Sequence, residues 1–164
     1  MALQSKMTVY AALIGVFAMM GGIFYYVNLD TVQIEQVEIE LTNVELIDVN
    51  TIDNQAKFDV TFLIKNPSDK TFTIPLIGYQ LYGDGILLGS GEYSTVDISM
   101  PGRAAFYPGA EIPLKNIFVL SKSEVNSEIY QDAIENRINS FSAEGSITTQ
   151  SSWMTIEKEF KTGF

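Results

Sequence analysis

The chain of 164 residues contains no cysteine and no histidine. Without a thiol, no disulfide staples the fold and no lipid attaches through sulfur. Without imidazole, Ser-His-Asp and Cys-His catalytic arrangements are excluded, together with ordinary zinc and copper sites built on imidazole or thiolate. Asn-x-Ser/Thr with x other than proline is absent, so N-glycosylation of the usual kind has no acceptor. Basic residues are scarce, 10 Lys and Arg against 20 Asp and Glu, for a formal net charge of −10. Phosphate neutralisation by Lys and Arg supplies most nucleic-acid affinity, so no nucleic-acid partner is expected. The same field repels anionic lipid headgroups and favours solubility, cations or a basic partner.

Charge is missing altogether from Met7 to Val27, MTVYAALIGVFAMMGGIFYYV. At about 1.5 Å rise per residue this run makes a rod of roughly 32 Å, close to the ~30 Å hydrocarbon thickness of a bilayer. In lipid the backbone must satisfy its own hydrogen bonds, so a lone segment is helical. Tyr25 and Tyr26 stand at the downstream end, where amphipathic rings prefer the headgroup level. A transmembrane helix over 7–27 is therefore predicted, with the lipid bilayer as its partner. A cleaved signal peptide fits less well, since its apolar region is normally shorter and is followed by a small-x-small site. Here the exit, GGIFYYVNLD, is bulky and aromatic. A pilin-type leader cut after Lys6 would want an acidic residue near the start of the apolar run, and none is there.

Residues 1–6 carry Lys6, while the far flank opens with Asp30, Glu35, Glu38 and Glu40. Lys and Arg bias a flank toward the cytoplasm. The expected arrangement is a cytoplasmic tail (1–6), the membrane helix (7–27), a short linker (28–33) and an extracytoplasmic domain (34–164) at the cell membrane. Ala11, Gly15, Ala18 and Gly22 recur one turn apart. They make candidate packing positions for a membrane-protein partner or for self-association.

Beyond the apolar run, period two dominates. In KFDVTFLIK, Phe58, Val60, Phe62 and Ile64 face one way, while Lys57, Asp59 and Thr61 face the other. Similar alternation marks Val37 to Thr42, Thr95 to Met100 and Phe141 to Thr148. Asn66-Pro67-Ser68-Asp69 ends the strongest strand, because proline donates no ladder bond. Gly83-Asp84-Gly85, between YQLY and ILLG, marks a tight hairpin. Closely spaced strands with such turns predict a mainly β, immunoglobulin-like antiparallel sandwich of about seven strands. Lys122 to Asn139 departs from this, with Val125, Ile129, Ala133, Ile134 and Ile138 at helical spacing and Ser121 and Glu124 as a capping box. A helix there would cover one end or edge of the sheets.

No site chemistry stands out. Asp48, Asn50 and Asp53 supply oxygens of the kind calcium takes, but the stretch lacks the Gly and terminal Glu of an EF-hand loop, so no metal site is expected. Asp132 and Glu135 read as a solvated helix face. Trp153 reads as a core or edge anchor. Tyr79, Tyr82, Tyr93, Phe106 and Tyr107 are candidates for an aromatic patch. No nucleophile–base pair can be assembled, so no catalytic residue and no cofactor is expected.

The run FDVTFLIKNPSDKTFTIPLIGYQLYGDGILLGSGEYSTVDISMPG resembles the late embryogenesis abundant type 2 domain, also called the water-stress and hypersensitive-response (WHy) domain. In that family an apolar strand ends in Asn-Pro, here Asn66-Pro67. A short Ile-Pro strand follows, here Ile74-Pro75-Leu76, and then a Tyr-x-Leu hairpin with glycine, here Tyr79, Leu81 and Gly83. A small-residue exit comes next, here Gly89 and Gly91, and an Ile-Pro-Gly-like element, here Met100-Pro101-Gly102. The order and spacing match across roughly residues 34–120. The resemblance implies a seven-stranded, immunoglobulin-like sandwich with an added helix; with the apolar run ahead of it, the chain resembles a membrane-anchored prokaryotic, and specifically archaeal, member, although only some relatives carry such an anchor. It also implies a non-enzymatic protein linked to desiccation, osmotic or other stress. No catalytic residues carry over, and Asn66, Pro67, Gly83, Gly89 and Gly91 are implied to be structural. An accessory subunit of a larger membrane complex is the alternative.

Overall fold

Ten elements follow one another in the computed structural model, which describes residues 2–97, 99, 102–151 and 154–164. They are α1 (Ala2–Ile34), β1 (Glu38–Asn50), β2 (Gln55–Lys65), β3 (Phe72–Gly83), β4 (Ile86–Ser94), β5 (Ala105–Phe106), β6 (Glu111–Ser121), α2 (Ser127–Ile134), β7 (Phe141–Gln150) and β8 (Thr155–Gly163). The strands form two antiparallel sheets, one ordered β1-β2-β6 and the other β4-β3-β7-β8, with β5 pairing the start of β3. The fold is the mainly β sandwich expected, with eight strands where about seven were anticipated. The extra one is the two-residue β5.

Alternation explains β2. Phe58, Val60, Phe62 and Ile64 are buried, and Lys57 is exposed. Thr61 departs from expectation: it is only 7% exposed, because it lies on the central strand between Asn43 and Lys115. Strand β1 runs past the alternating start read in the sequence, and its apolar residues are spaced irregularly at 39, 41, 44, 46 and 49. Bulges at Thr42 and Ile47 absorb the extra residues, so that Ile39, Leu41, Val44, Leu46 and Val49 pair with Ile64, Phe62, Val60, Phe58 and Ala56. Every apolar side chain of β1 except Ile47 thus falls in register with the buried side of β2.

The register also fixes which end is which. Glu38, Lys65 and Glu111 lie together at the α1 end, and Asn50, Gln55 and Ser121 lie at the other. Helix α2 closes that distal end through buried Tyr130 and Ala133.

Three expectations need correction. The helix read over 122–139 is confined to Ser127–Ile134. Its N-cap is Asn126, whose side chain accepts from Glu128 N at 3.1 Å, and Asn136, at φ 54°, turns the chain away just after it. Ser121 is not a cap: it ends β6, and its carbonyl accepts from Glu124 N in a tight turn. The strand read over Thr95–Met100 does not form across its described part. Thr95 turns back on β3, with its N donating to Pro75 O and its hydroxyl to Ile74 O, and Val96 and Asp97 are in a turn. Ile98, Met100, Pro101 and Trp153 lie outside the described residues. Finally, residues 28–33, read as a linker, continue α1 as helix.

Candidate functional site

Helix α1 is the first feature that the sandwich does not explain. From Lys6 to Asn28 it is long and apolar enough to cross a membrane, and none of that stretch is buried against the rest of the chain. Ala11, Gly15, Ala18 and Gly22 fall within about 60° of one another at 100° per residue, forming one exposed face. A side chain added at Gly15 or Gly22 would meet only open space. The helix touches the sandwich near its exit. Lys70 Nζ sits 5.6 Å from the centroid of the Tyr26 ring, and Lys158 Nζ donates to Glu35 O at 2.9 Å and to Val37 O at 2.7 Å. The two Lys158 bonds hold the segment between α1 and β1 against β8.

Of the five residues singled out in the sequence, Asn66 and Pro67 follow β2 at the α1 end, while Gly83 ends β3 and Gly89 and Gly91 lie in β4. Asn66 is 2% exposed, and its amide is fully used. Its Nδ2 donates to Lys70 O and Phe106 O, and its Oδ1 accepts from Ser68 N and Ser68 Oγ. One side chain therefore fastens the end of β2, the following turn and β5. Pro67 is exposed in that turn. Gly83 leaves room for Ile138, whose methyl would lie 2.8 Å from an added Cβ. Asp84 and Gly85 have φ of 48° and 80°, the paired left-handed values of a type I′ hairpin. The Asp84 carboxylate accepts from Asn139 N, Ser140 N and Ser140 Oγ, and the Asn139 bond foremost holds its pKa below the usual value. Gly89, at φ 153°, follows the bulge that buries Leu88, and Phe118 packs directly over it.

Gly91 belongs to a rung in which it, Tyr79, Gly145 and Phe160 lie side by side. An added Cβ at Gly91 would fall 2.3 Å from the Tyr79 ring, and one at Gly145 would fall 2.0 Å from Gly78 O. The space serves Tyr79, which stands edge-on to Phe62 of the opposite sheet at 4.9 Å and whose hydroxyl accepts from Asn116 Nδ2 at 2.9 Å. Burial pushes the Tyr79 phenol pKa up. Gly145 was passed over in the sequence because it reads as one small residue in an alternating strand. Only its register opposite Tyr79 gives it a role.

Outside this rung lies an open groove of about 1090 Å³ on the solvent face of the five-stranded sheet. Gly78 leaves its floor bare, and Gln80, Ser90, Ser146, Glu144, Glu159 and Lys161 line it. Lys161 is ion-paired with Glu144, whose hydrogen bond raises the lysine pKa. These groups offer polar contacts and negative charge, but no nucleophile held by a base.

The other candidates disperse. Asn50 Nδ2 donates to Asp53 Oδ2, while Asn50 Oδ1 accepts from Ile52 N and Asp53 N, so these two residues close the β1–β2 turn on each other. Asp48 stands opposite Lys57. Among the described residues, no three acidic side chains are grouped to hold a metal ion. Asp132 and Glu135, read as merely solvated, both pair with Arg137. No aromatic patch forms: Tyr79 and Phe106 are buried, Tyr82 and Tyr93 are half-buried, and Tyr107 is exposed.

No known family model matches the chain, and no curated protein does. Among solved structures it is similar to a protein of Arabidopsis thaliana determined in solution, at 16% identity over 77% of this chain and 80% of that one, with a TM-score of 0.53. It is also similar to a protein from Archaeoglobus fulgidus, at 14% identity over 76% of this chain and 96% of that one, with a TM-score of 0.46. A third is a candidate late embryogenesis abundant protein, at 13% identity over 94% of this chain and 84% of that one, with a TM-score of 0.43. The Arabidopsis likeness shows a shared fold and nothing about activity. The two lower scores carry no argument.

Proposed function

We propose that the chain is a membrane-anchored, non-enzymatic domain of the late embryogenesis abundant type 2 kind, from a prokaryote, acting outside the cytoplasmic membrane in binding or in protection against drying and osmotic stress. One observation carries the anchoring: a fully exposed apolar helix passes without a break toward a closed, acidic sandwich. Water penalises roughly 20 uncovered apolar residues, and lipid does not. The orientation rests on Lys6, the single basic residue ahead of the apolar run. The stress role rests on the ordered motif from Asn66-Pro67 to Met100-Pro101-Gly102.

Membrane fractionation with protease added to intact cells tests the placement. The protein should sediment with membranes and lose its sandwich to the protease, and recovery in the soluble fraction would end the reading. A deletion strain should survive drying and salt shock less well than its parent, and equal survival would remove the protective role.

A second reading, an accessory subunit of a membrane complex, is favoured by the exposed face of Ala11, Gly15, Ala18 and Gly22. Native sizing after gentle extraction should then show a large species that Gly15→Leu with Gly22→Leu breaks. An unaltered monomer would dismiss the subunit.

A further inference from the structure

Given a bilayer around α1, Tyr26 falls at headgroup level, since the apolar run through Val27 already spans the ~30 Å hydrocarbon layer. Residues 29–34 carry the helix roughly 9 Å further before the sandwich begins. Yet Lys70 lies against the Tyr26 ring. The Lys70 side chain, on the turn after β2, therefore reaches back along the helix toward the lipid surface.

That turn does not come down alone. Asn66 binds Lys70 O and Phe106 O, and Gly109 N donates to Asn66 O at 2.8 Å. Residues 107–109 are thus tied beside Lys70. Phe106 turns inward and stacks on Phe72, which leaves the next residue facing out, and Tyr107 is 65% exposed. Tyrosine with a neighbouring lysine is what a headgroup layer accepts: an apolar ring body with a polar tip, and a cation on a flexible stem. Charge agrees. The loops at this end set Lys70 and Arg103 against Glu35, Asp69 and Asp97, an excess of one acid, whereas the distal loops and α2 set Asp53, Asp84, Glu124, Glu128, Asp132 and Glu135 against Lys122 and Arg137, an excess of four.

We propose that the Tyr107–Gly109 loop, with Lys70 beside it, sits in the headgroup layer of the bilayer that α1 spans, giving the sandwich a second membrane contact. This rests on the membrane placement proposed above. The native chain has no cysteine, so single labels are clean. Full-length Tyr107→Cys, Ile52→Cys and Phe17→Cys proteins carry an environment-sensitive fluorophore in phosphatidylcholine vesicles doped with nitroxide lipids. Phe17 reports the helix core, and Ile52, at the distal turn, reports water. On vesicle binding the label at 107 should shift its emission to the blue, because the headgroup layer is less polar than water, and headgroup nitroxide should quench it, while the label at 52 stays unchanged. Pro108→Cys replaces the 107 probe if that label perturbs the fold. If position 17 is quenched by deep nitroxide but 107 behaves like 52, the loop contact is overturned and the anchor stands. If position 17 is not quenched, the anchor itself fails and the loop contact falls with it. A label at 107 shielded from a water-soluble quencher yet untouched by nitroxide lipid marks a second copy on the loop, which also overturns the proposal.

Discussion

Phe17 in α1 and Phe62 in β2 are the same residue in opposite circumstances, 69% and 0% exposed. Around Phe62 the sequence alternates, so one face of the strand is hidden within the protein while the other meets water. Around Phe17 it is apolar on every side, and no single face of a sandwich can cover a cylinder. The two regions show that burial follows the period of the apolar residues more than their number.

The sharpest way to break this comparison is to truncate both rings. Phe62→Ala should cost the sandwich about 3–5 kcal/mol in denaturant unfolding, because its ring meets both Tyr79 and Phe160. Phe17→Ala should leave the midpoint where it was, and comparable losses would mean that α1 belongs to the same folding unit. Next, Gly145→Ala forces a methyl group onto the β3 backbone and should cost roughly 1–3 kcal/mol. The same change at Gly15, in open space on α1, should cost the sandwich nothing. Asn66→Ala strips the carbonyls of Lys70 and Phe106 of a donor and should lose roughly 1–3 kcal/mol.

The smallest effect is tied to pH. The Asp84 pKa lies below its ordinary value of 3.8, so the folded state holds this proton less tightly than the unfolded one. Its contribution is complete above pH 3.8 and fades as pH falls through the lower folded value. Asp84→Asn should therefore flatten the acid limb of stability, measured by urea titration across pH, and an unchanged limb would remove Asp84 as a source.

Some of this was legible in the sequence because short-range rules decide it. The β2 alternation, the Gly83-Asp84-Gly85 hairpin and the apolar run each stand on neighbours a few residues apart. Strand β6 escaped because Ile117 and Val119 face solvent while Phe118 and Leu120 face the core, which erases its alternation. Helix α2 was read too long because Val125 and Ile138 keep helical spacing from outside the helix, packing on the core from the turns that flank it. The uses of Gly145 and Asn66 depend on partners brought close by sheet pairing, so no local pattern announces them. The pairing of Lys70 with Tyr26 joins residues 44 positions apart and was equally hidden.

Only Glu35, Gln36 and Val37 separate the last turn of α1 from the first residue of β1. Fully stretched, three residues reach about 10 Å, and here Lys158 grips the carbonyls of two of them. Such a joint has little slack in which to lose motion. Any roll of the rod about its own axis is delivered to the β module as torque, so the two turn as a crank turns with its shaft.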